Sequence, residues 1–260
     1  MTPLAALFAA LAVALALMTA VWTVSVRAKD ASLVDRWWGP GFAVAAWTWV
    51  FAMGATSPRA ITLAALVTTW GVRLGVHITR RNSGHGEDPR YSAMRTGSPH
   101  SFWWTSLITV FWLQAVLLWV VALPLFAALQ PHAPRAWGWL DTLGVLLWCI
   151  GFGFEAIGDA QLAAFKRDPA NRGRVMDQGL WRFTRHPNYF GDAAVWWGFA
   201  MFALSTPGAW WTLVGPAIMT TLLMRVSGVA LLEKQMGARP GYAEYVARTS
   251  AFFPRPPKRS

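Results

Sequence analysis

Seven stretches of the chain are apolar almost without interruption, and the polar residues collect between them. The stretches are Leu4–Val26, Trp37–Ala55, Ala60–Ile78, Phe102–Leu129, Trp139–Ala164, Phe190–Leu204 and Gly208–Leu232. About 20 mostly apolar residues cross a bilayer core as a helix. In lipid every backbone N–H and C=O must be satisfied within the segment, which favours helices over open strands. The pattern therefore predicts an all-α polytopic membrane protein with seven transmembrane helices. The sixth stretch is short and stops at Ser205-Thr206-Pro207-Gly208, so stretches six and seven are expected to form a tight helical hairpin.

Composition agrees with that pattern. Of 260 residues 55% are apolar and 13% charged, 18 are Trp, and mean hydropathy is +0.35. A soluble domain carries about 25% charged residues. A disordered chain, a disulfide scaffold and an ordinary cytosolic domain are excluded. The single Cys149 gives no disulfide and no thiolate metal site within one chain.

The net charge of +11 would ordinarily raise nucleic acid as a partner, but its placement argues for a membrane surface instead. Between stretches one and two lie Arg27, Lys29 and Arg36; between three and four, Arg80, Arg81, Arg90 and Arg95. Between five and six lie Lys166, Arg167, Arg172, Arg174, Arg182 and Arg185, and the tail carries Lys234, Arg239, Arg248, Arg255, Lys258 and Arg259. The opposite side has only Arg59 and Arg135. Cytoplasmic loops hold the excess of Lys and Arg, so an odd span count follows, with the N-terminus outside and the C-terminus cytoplasmic. No Lys or Arg precedes Arg27, so the first stretch lacks the basic start of a signal peptide and reads as a retained helix. A bacterial inner membrane, with the functional site facing the cytoplasm, is the expected location.

Ionisable groups inside membrane helices are costly and mark function by default. Here they are Arg73, His77, Glu155, Asp159, Asp192 and Arg225, with Asp35 just before the second stretch. Arg73 and His77, and likewise Glu155 and Asp159, are spaced i, i+4 and share a helix face. Ion pairs that pin helices together are the alternative reading. The loop QLAAFKRDPANRGRVMDQGLWRFTRHPNYFG, Gln161 to Gly191, interleaves Lys166, Arg174, Arg185 and His186 with Asn171, Asn188 and Tyr189. Guanidinium forks and glycine-exposed N–H groups bind phosphate oxygens, and a cluster this basic suits a dinucleotide with an extra phosphate. A lipid-headgroup patch is the competing reading. The loop after the third stretch holds His85, Glu87 and Asp88 without metal-ligand spacing, so no metal site is expected. Neither nucleotide-binding glycine motifs nor hydrolase motifs occur.

The segments GDAQLAAFK, NRGRVMDQGLWRFTRHPNYFGDAAVWWG, RVSGVALLEK and RPGYAEYVARTSAFFP resemble the DUF1295 family of the steroid 5-alpha-reductase C-terminal superfamily. SLVDRWWGPGFAVAA, TWGVRLGVHITRRNSGHGEDPRY and FWWTSLITVFWLQA extend the likeness over nearly the whole chain. The resemblance implies one integral membrane domain, with substrate-side helices in residues 1–130 and a cofactor-binding half in 138–260. It implies NADPH in a cytoplasm-facing cavity and a lipophilic substrate entering from the bilayer. The positions matching the cofactor residues of steroid reductases are Asp159, Lys166, Asn188, Gly191 and Asp192, with Arg225 in the last span and Glu155 where those enzymes carry an Asn. Steroid reductases also grip the substrate carbonyl with a Gln-Glu pair in the second span and a Tyr in the third. Neither is present here, and Asp35, Arg73 and His77 are the nearest substitutes.

The expected reaction is NADPH-dependent reduction of a polarised C=C bond in a steroid-like, isoprenoid or other lipid substrate. Negative charge then develops on the conjugated oxygen, and a donor aimed there supplies the rate. His77 or Arg73 is that donor, Asp35 orients it, and Tyr189 is a further proton donor. The chain is expected to act as a monomer. One alternative is an S-adenosylmethionine-dependent methyltransferase like the isoprenylcysteine carboxyl methyltransferases, which share the R-H-P-x-Y-x-G word. Another is a non-enzymatic lipid-binding or transport bundle.

Overall fold

The computed structural model describes residues 1–226, 228–237 and 239–258, with backbone alone for residues 230, 231, 234 and 235. Ser227 of the seventh stretch, the Lys234 side chain and Arg259 lie outside the described residues. Among the described residues all regular structure is helical. Two compact units result: Met1–Trp137 with Phe202–Thr212, and Gly138–Met201 with Leu213–Ser260.

In the first unit, α1 (Pro3–Ala28) begins at Thr2, whose hydroxyl accepts the Ala5 N–H at 3.3 Å. It ends at Lys29, which turns left-handed at φ 52°. Its buried stripe of Ala6, Ala10, Ala14, Met18 and Val21 is small in its first half. α2 (Leu33–Met53) and α3 (Pro58–Asn82) approach closely at paired glycines. A Cβ on Gly39 would stand 2.4 Å from the Gly71 carbonyl oxygen, and one on Gly71 would stand 2.3 Å from that of Gly39. Small residues let membrane helices touch backbone to backbone in this way. The short α4 (Pro89–Gly97) starts at Asp88, whose carboxylate accepts the Arg90 N–H.

Next, α5 (Phe102–Ser106), a π-helical stretch Leu107–Trp112 and α6 (Leu113–Val121) make one continuous helix. Pro124 has no N–H to extend that ladder, and the chain restarts as α7 (Leu123–Ala128). Arg59, one of the two basic residues expected on the side opposite the basic loops, is 2% exposed. Its guanidinium donates to the Ala128 carbonyl (3.0 Å), the Phe202 carbonyl (2.6 Å) and the Ser205 hydroxyl (2.6 Å). Those carbonyls lie in the last turns of α7 and of the helix that ends at Leu204, which is where a cation is favoured.

The second unit is built on α8 (Trp139–Arg167) and α9 (Pro187–Leu204, in this unit up to Met201). Buried Asp141 accepts the Gly138 N–H at 2.8 Å and closes the start of α8. The two helices meet along glycines seven residues apart. A Cβ on Gly198 would lie 2.7 Å from the Gly144 oxygen, one on Gly191 would lie 2.4 Å from the Gly151 oxygen, and one on Gly158 would touch Pro187. There follow α10 (Val214–Thr221), a π-helical stretch Leu222–Val226, α11 (Val229–Met236) and α12 (Tyr242–Arg248).

Among the described residues four helices are long and apolar enough to cross a membrane: α1, α3, the continuous helix Phe102–Val121, and α8. Stretches two and six are helical as α2 and α9. The seventh is not one helix. Gly208 turns at φ 77°, Ala209–Leu213 is a 3-10 turn, and Gly228 at φ −109°, ψ −108° interrupts the ladder before α11.

Candidate functional site

One group of buried polar side chains in the second unit lies on α8 and α9. Glu155 and Asp159 are one turn apart on α8 and are 2% and 5% exposed. Asp192 on α9 is also buried. The Asn188 Nδ2 donates to Asp159 Oδ1 at 3.0 Å, and its own Oδ1 accepts the Tyr189 N–H. Gly191 lies against Glu155 because it has no side chain; a Cβ there would come within 2.8 Å of the Glu155 Cβ. Five residues named from sequence, Glu155, Asp159, Asn188, Gly191 and Asp192, are thus on the same pair of helix surfaces. Gly191 serves the helix crossing as well.

Tyr189 stacks flat on His186, with centroids 5.5 Å apart and planes 8° apart. His186 and Arg185 turn to Glu233 on α11: Arg185 Nε and Nη2 each lie 2.8 Å from Glu233 Oε1, and His186 Nε2 lies 3.3 Å from it. Burial pushes the His186 imidazole down to about 4, with Glu233 opposing, so the ring is neutral at pH 7. Arg185 Nη1 continues to the Thr249 carbonyl. Its guanidinium is therefore committed within the protein. Asn171 is committed as well, its Nδ2 donating to Phe165 O near the end of α8 at 3.1 Å. Lys166, Arg172, Arg174, Arg182 and Arg225 are exposed, with Gly173 and Gly179 at positive φ among the loop residues.

In the first unit Arg73 and His77 lie one turn apart on α3, both half-buried. Asp35 at the start of α2 accepts from Arg90 Nη2 (2.9 Å) and from the Tyr91 hydroxyl (2.8 Å). Burial raises the Asp35 carboxyl above its ordinary value, with Arg90 and Tyr91 opposing. Burial also raises the Tyr91 phenol, with the nearby Asp35 carboxylate adding to the shift. Glu87 accepts the Ala31 N–H (2.7 Å) and both Nε (3.0 Å) and Nη2 (2.8 Å) of Arg95. Burial works to raise the Glu87 carboxyl, but these donors outweigh it and hold it below its ordinary value. The two carboxylates thus fasten α4 to the start of α2 and to the turn before it. Tyr91 and Glu233 are the residues that the sequence reading passed over. Their signal was weak: one Tyr in a loop, and one Glu in the word LLEK.

The sequence model of the family described as "Protein of unknown function (DUF1295)" matches residues 21–249. The chain belongs to the DUF1295 family. The match reaches from the last third of α1 past the end of α12, so both groups of polar residues lie within the DUF1295 region. An uncharacterized protein of Schizosaccharomyces pombe is 28% identical, over 90% of this chain and 76% of its own length. No solved structure matches the chain.

Proposed function

We propose that this DUF1295 chain is a membrane reductase of the steroid 5-alpha-reductase superfamily, using NADPH to reduce a polarised C=C bond of a lipophilic substrate. The observation that carries the proposal is the Asp159–Asn188 hydrogen bond beside buried Glu155 and Asp192. Carboxylate and amide oxygens accept more than one hydrogen bond each. Ribose hydroxyls and a nicotinamide carboxamide are donors of the required kind, and the exposed guanidinium groups of Arg172, Arg174 and Arg182 suit phosphates. NADPH supplies the hydride when bound. The chain's own residues hold it, exclude water and provide the acid.

In this reading the seven apolar stretches all span or enter the membrane, the N-terminus is outside, and the site faces the cytoplasm of a bacterial cell. The substrate enters from the bilayer, and the chain acts as a monomer. Arg73 or His77 donates to the substrate oxygen as charge develops there, and Tyr189 is a second proton source. Asp35, which also accepts from the Tyr91 hydroxyl, orients the Arg73 or His77 donor.

The test is thermal unfolding of the purified chain in mild detergent with NADPH, NADH and S-adenosylmethionine in parallel. Ligand bound only to the native state adds about 3–4 kcal/mol at 100 to 1,000 times Kd. A shift with NADPH, lost in Asp159→Asn and Asn188→Ala, is expected. A shift with S-adenosylmethionine alone would replace the reductase reading with methyl transfer, and no shift with any of the three would leave a lipid-binding or transport bundle. His77→Ala should keep the NADPH shift and lose turnover; full turnover in that variant would remove His77 as the donor.

A further inference from the structure

The C-terminal tail of the second unit is bound to the turn that leads into α9. Thr184 Oγ1 donates to Phe252 O (2.8 Å), Arg185 N to Ser250 O (2.9 Å), and the Tyr245 hydroxyl to Trp181 O (2.6 Å). These contacts would suffice for a purely structural clasp. Glu233 adds something else, because its Oε1 takes His186 in addition to Arg185.

His186 is 6% exposed at its side chain and neutral. A neutral ring facing a carboxylate through Nε2 must carry its one proton there, which leaves Nδ1 as an acceptor. The tautomer and the ring plane are then both fixed. Tyr189 lies parallel to that plane, and a Cβ on Gly228, just before α11, would come within 3.0 Å of the Tyr189 ring. Asn188, which lies between the two in sequence, holds Asp159.

We infer that Glu233 is a positioning residue, holding His186, and through the stacked ring Tyr189, in the orientation that the Asp159–Asn188 site uses. The ligand in this inference rests on the NADPH reading; the orientation of His186 does not. Nothing in the family description assigns a role to Glu233.

The test uses the full chain in detergent as wild type, Glu233→Ala, Glu233→Gln and Tyr245→Phe, with nitrogen-15-labelled histidine assigned through His186→Gln. The wild-type ring is expected as the Nε2–H tautomer and Glu233→Ala as a tautomer mixture. NADPH affinity should fall about tenfold in Glu233→Ala, the share of one charge-assisted hydrogen bond, and by less in Glu233→Gln, whose amide oxygen still accepts. Tyr245→Phe removes a tail anchor and should lower the melting temperature with NADPH affinity unchanged. A wild-type Nδ1–H tautomer, or an unchanged tautomer in Glu233→Ala, overturns the inference. So does an equal loss of NADPH affinity in Glu233→Ala and Tyr245→Phe, because Glu233 would then be one more tail clasp. Should the wild type bind no NADPH, the functional reading falls and the tautomer comparison alone decides the role of Glu233. Should Glu233→Ala fail to fold, the wild-type tautomer still decides it.

Discussion

Gly151 and Gly153 lie two residues apart on α8, and alanine should act on them with opposite sign. A Cβ at Gly151 would stand 2.5 Å from Gly191 O and 2.6 Å from Val195 N, both backbone atoms of α9. Neither atom belongs to a flexible side chain that could swing aside. Ordinary contact begins near 3.4 Å, so α8 and α9 must part by about 1 Å. A gap of that size forfeits roughly a quarter to a half of the dispersion well for each contact it opens. Overpacking of this kind costs about 1–3 kcal/mol. At Gly153 a Cβ meets nothing within 4 Å, and alanine gains up to about 1 kcal/mol of helix propensity. The two variants should therefore differ by about 1–4 kcal/mol in reversible unfolding of the detergent-solubilised chain. Gly191→Ala should resemble Gly151→Ala, because its Cβ would meet Gly151 O at 2.4 Å and Glu155 N at 2.5 Å. If Gly151→Ala proves as stable as Gly153→Ala, the close crossing of α8 and α9 is wrong.

Arg59→Leu should cost about 3 kcal/mol or more, because the carbonyls of Ala128 and Phe202 lose a buried donor; a melting temperature equal to wild type would show that water replaces the guanidinium. Stability should also depend on His186 below neutrality. Its folded value of about 4 lies under its ordinary 6.5, so between those values the unfolded chain binds the extra proton. This contribution is complete above about pH 7 and is lost as pH falls from about 6.5 towards 4. Thermal melts across that range should flatten in His186→Phe. Asp35→Asn and Glu87→Gln should each speed amide exchange over residues 87–95, because each removes a carboxylate that fastens α4. Unchanged exchange would mean that Tyr91 burial alone holds the segment.

The periodic apolar stretches made the helices legible, since lipid leaves the backbone little alternative. The break at Gly228 was hidden because hydropathy registers side chains and not backbone angles, so Gly208–Leu232 read as one span. The facing carboxylates of α8 and α9 followed from i, i+4 spacing and from the likeness of the Asn188 to Asp192 segment to steroid reductases. The glycine seam was also present in the spacing of residues 144, 151 and 158 against 191 and 198, a seven-residue repeat that a search for charges passes over. The Arg185–Glu233 and Asp35–Tyr91 contacts join residues 48 and 56 positions apart. No local pattern encodes such a pairing.

Burial separates the basic loop into two populations that the sequence presents as one. Arg185 and His186 are enclosed and face Glu233, so their charge and shape serve the fold around the site. Arg172, Arg174 and Arg182 are exposed and cost little to replace. Changing all three to Gln should alter the unfolding free energy by no more than about 0.5 kcal/mol per position, as for surface substitutions generally. If they hold the phosphates of NADPH, the triple variant should lose affinity for NADPH more than for NADH, and the loss should shrink at high salt as the wild-type advantage is screened. Equal loss for both nucleotides would place the arginines on the shared pyrophosphate. If nucleotide affinity is unchanged while binding to vesicles of anionic lipid falls, the same arginines form a headgroup patch and the phosphate assignment fails. Arg185→Gln should show the converse, a large loss of stability, because it takes the cationic partner from Glu233 and a donor from the Thr249 carbonyl together.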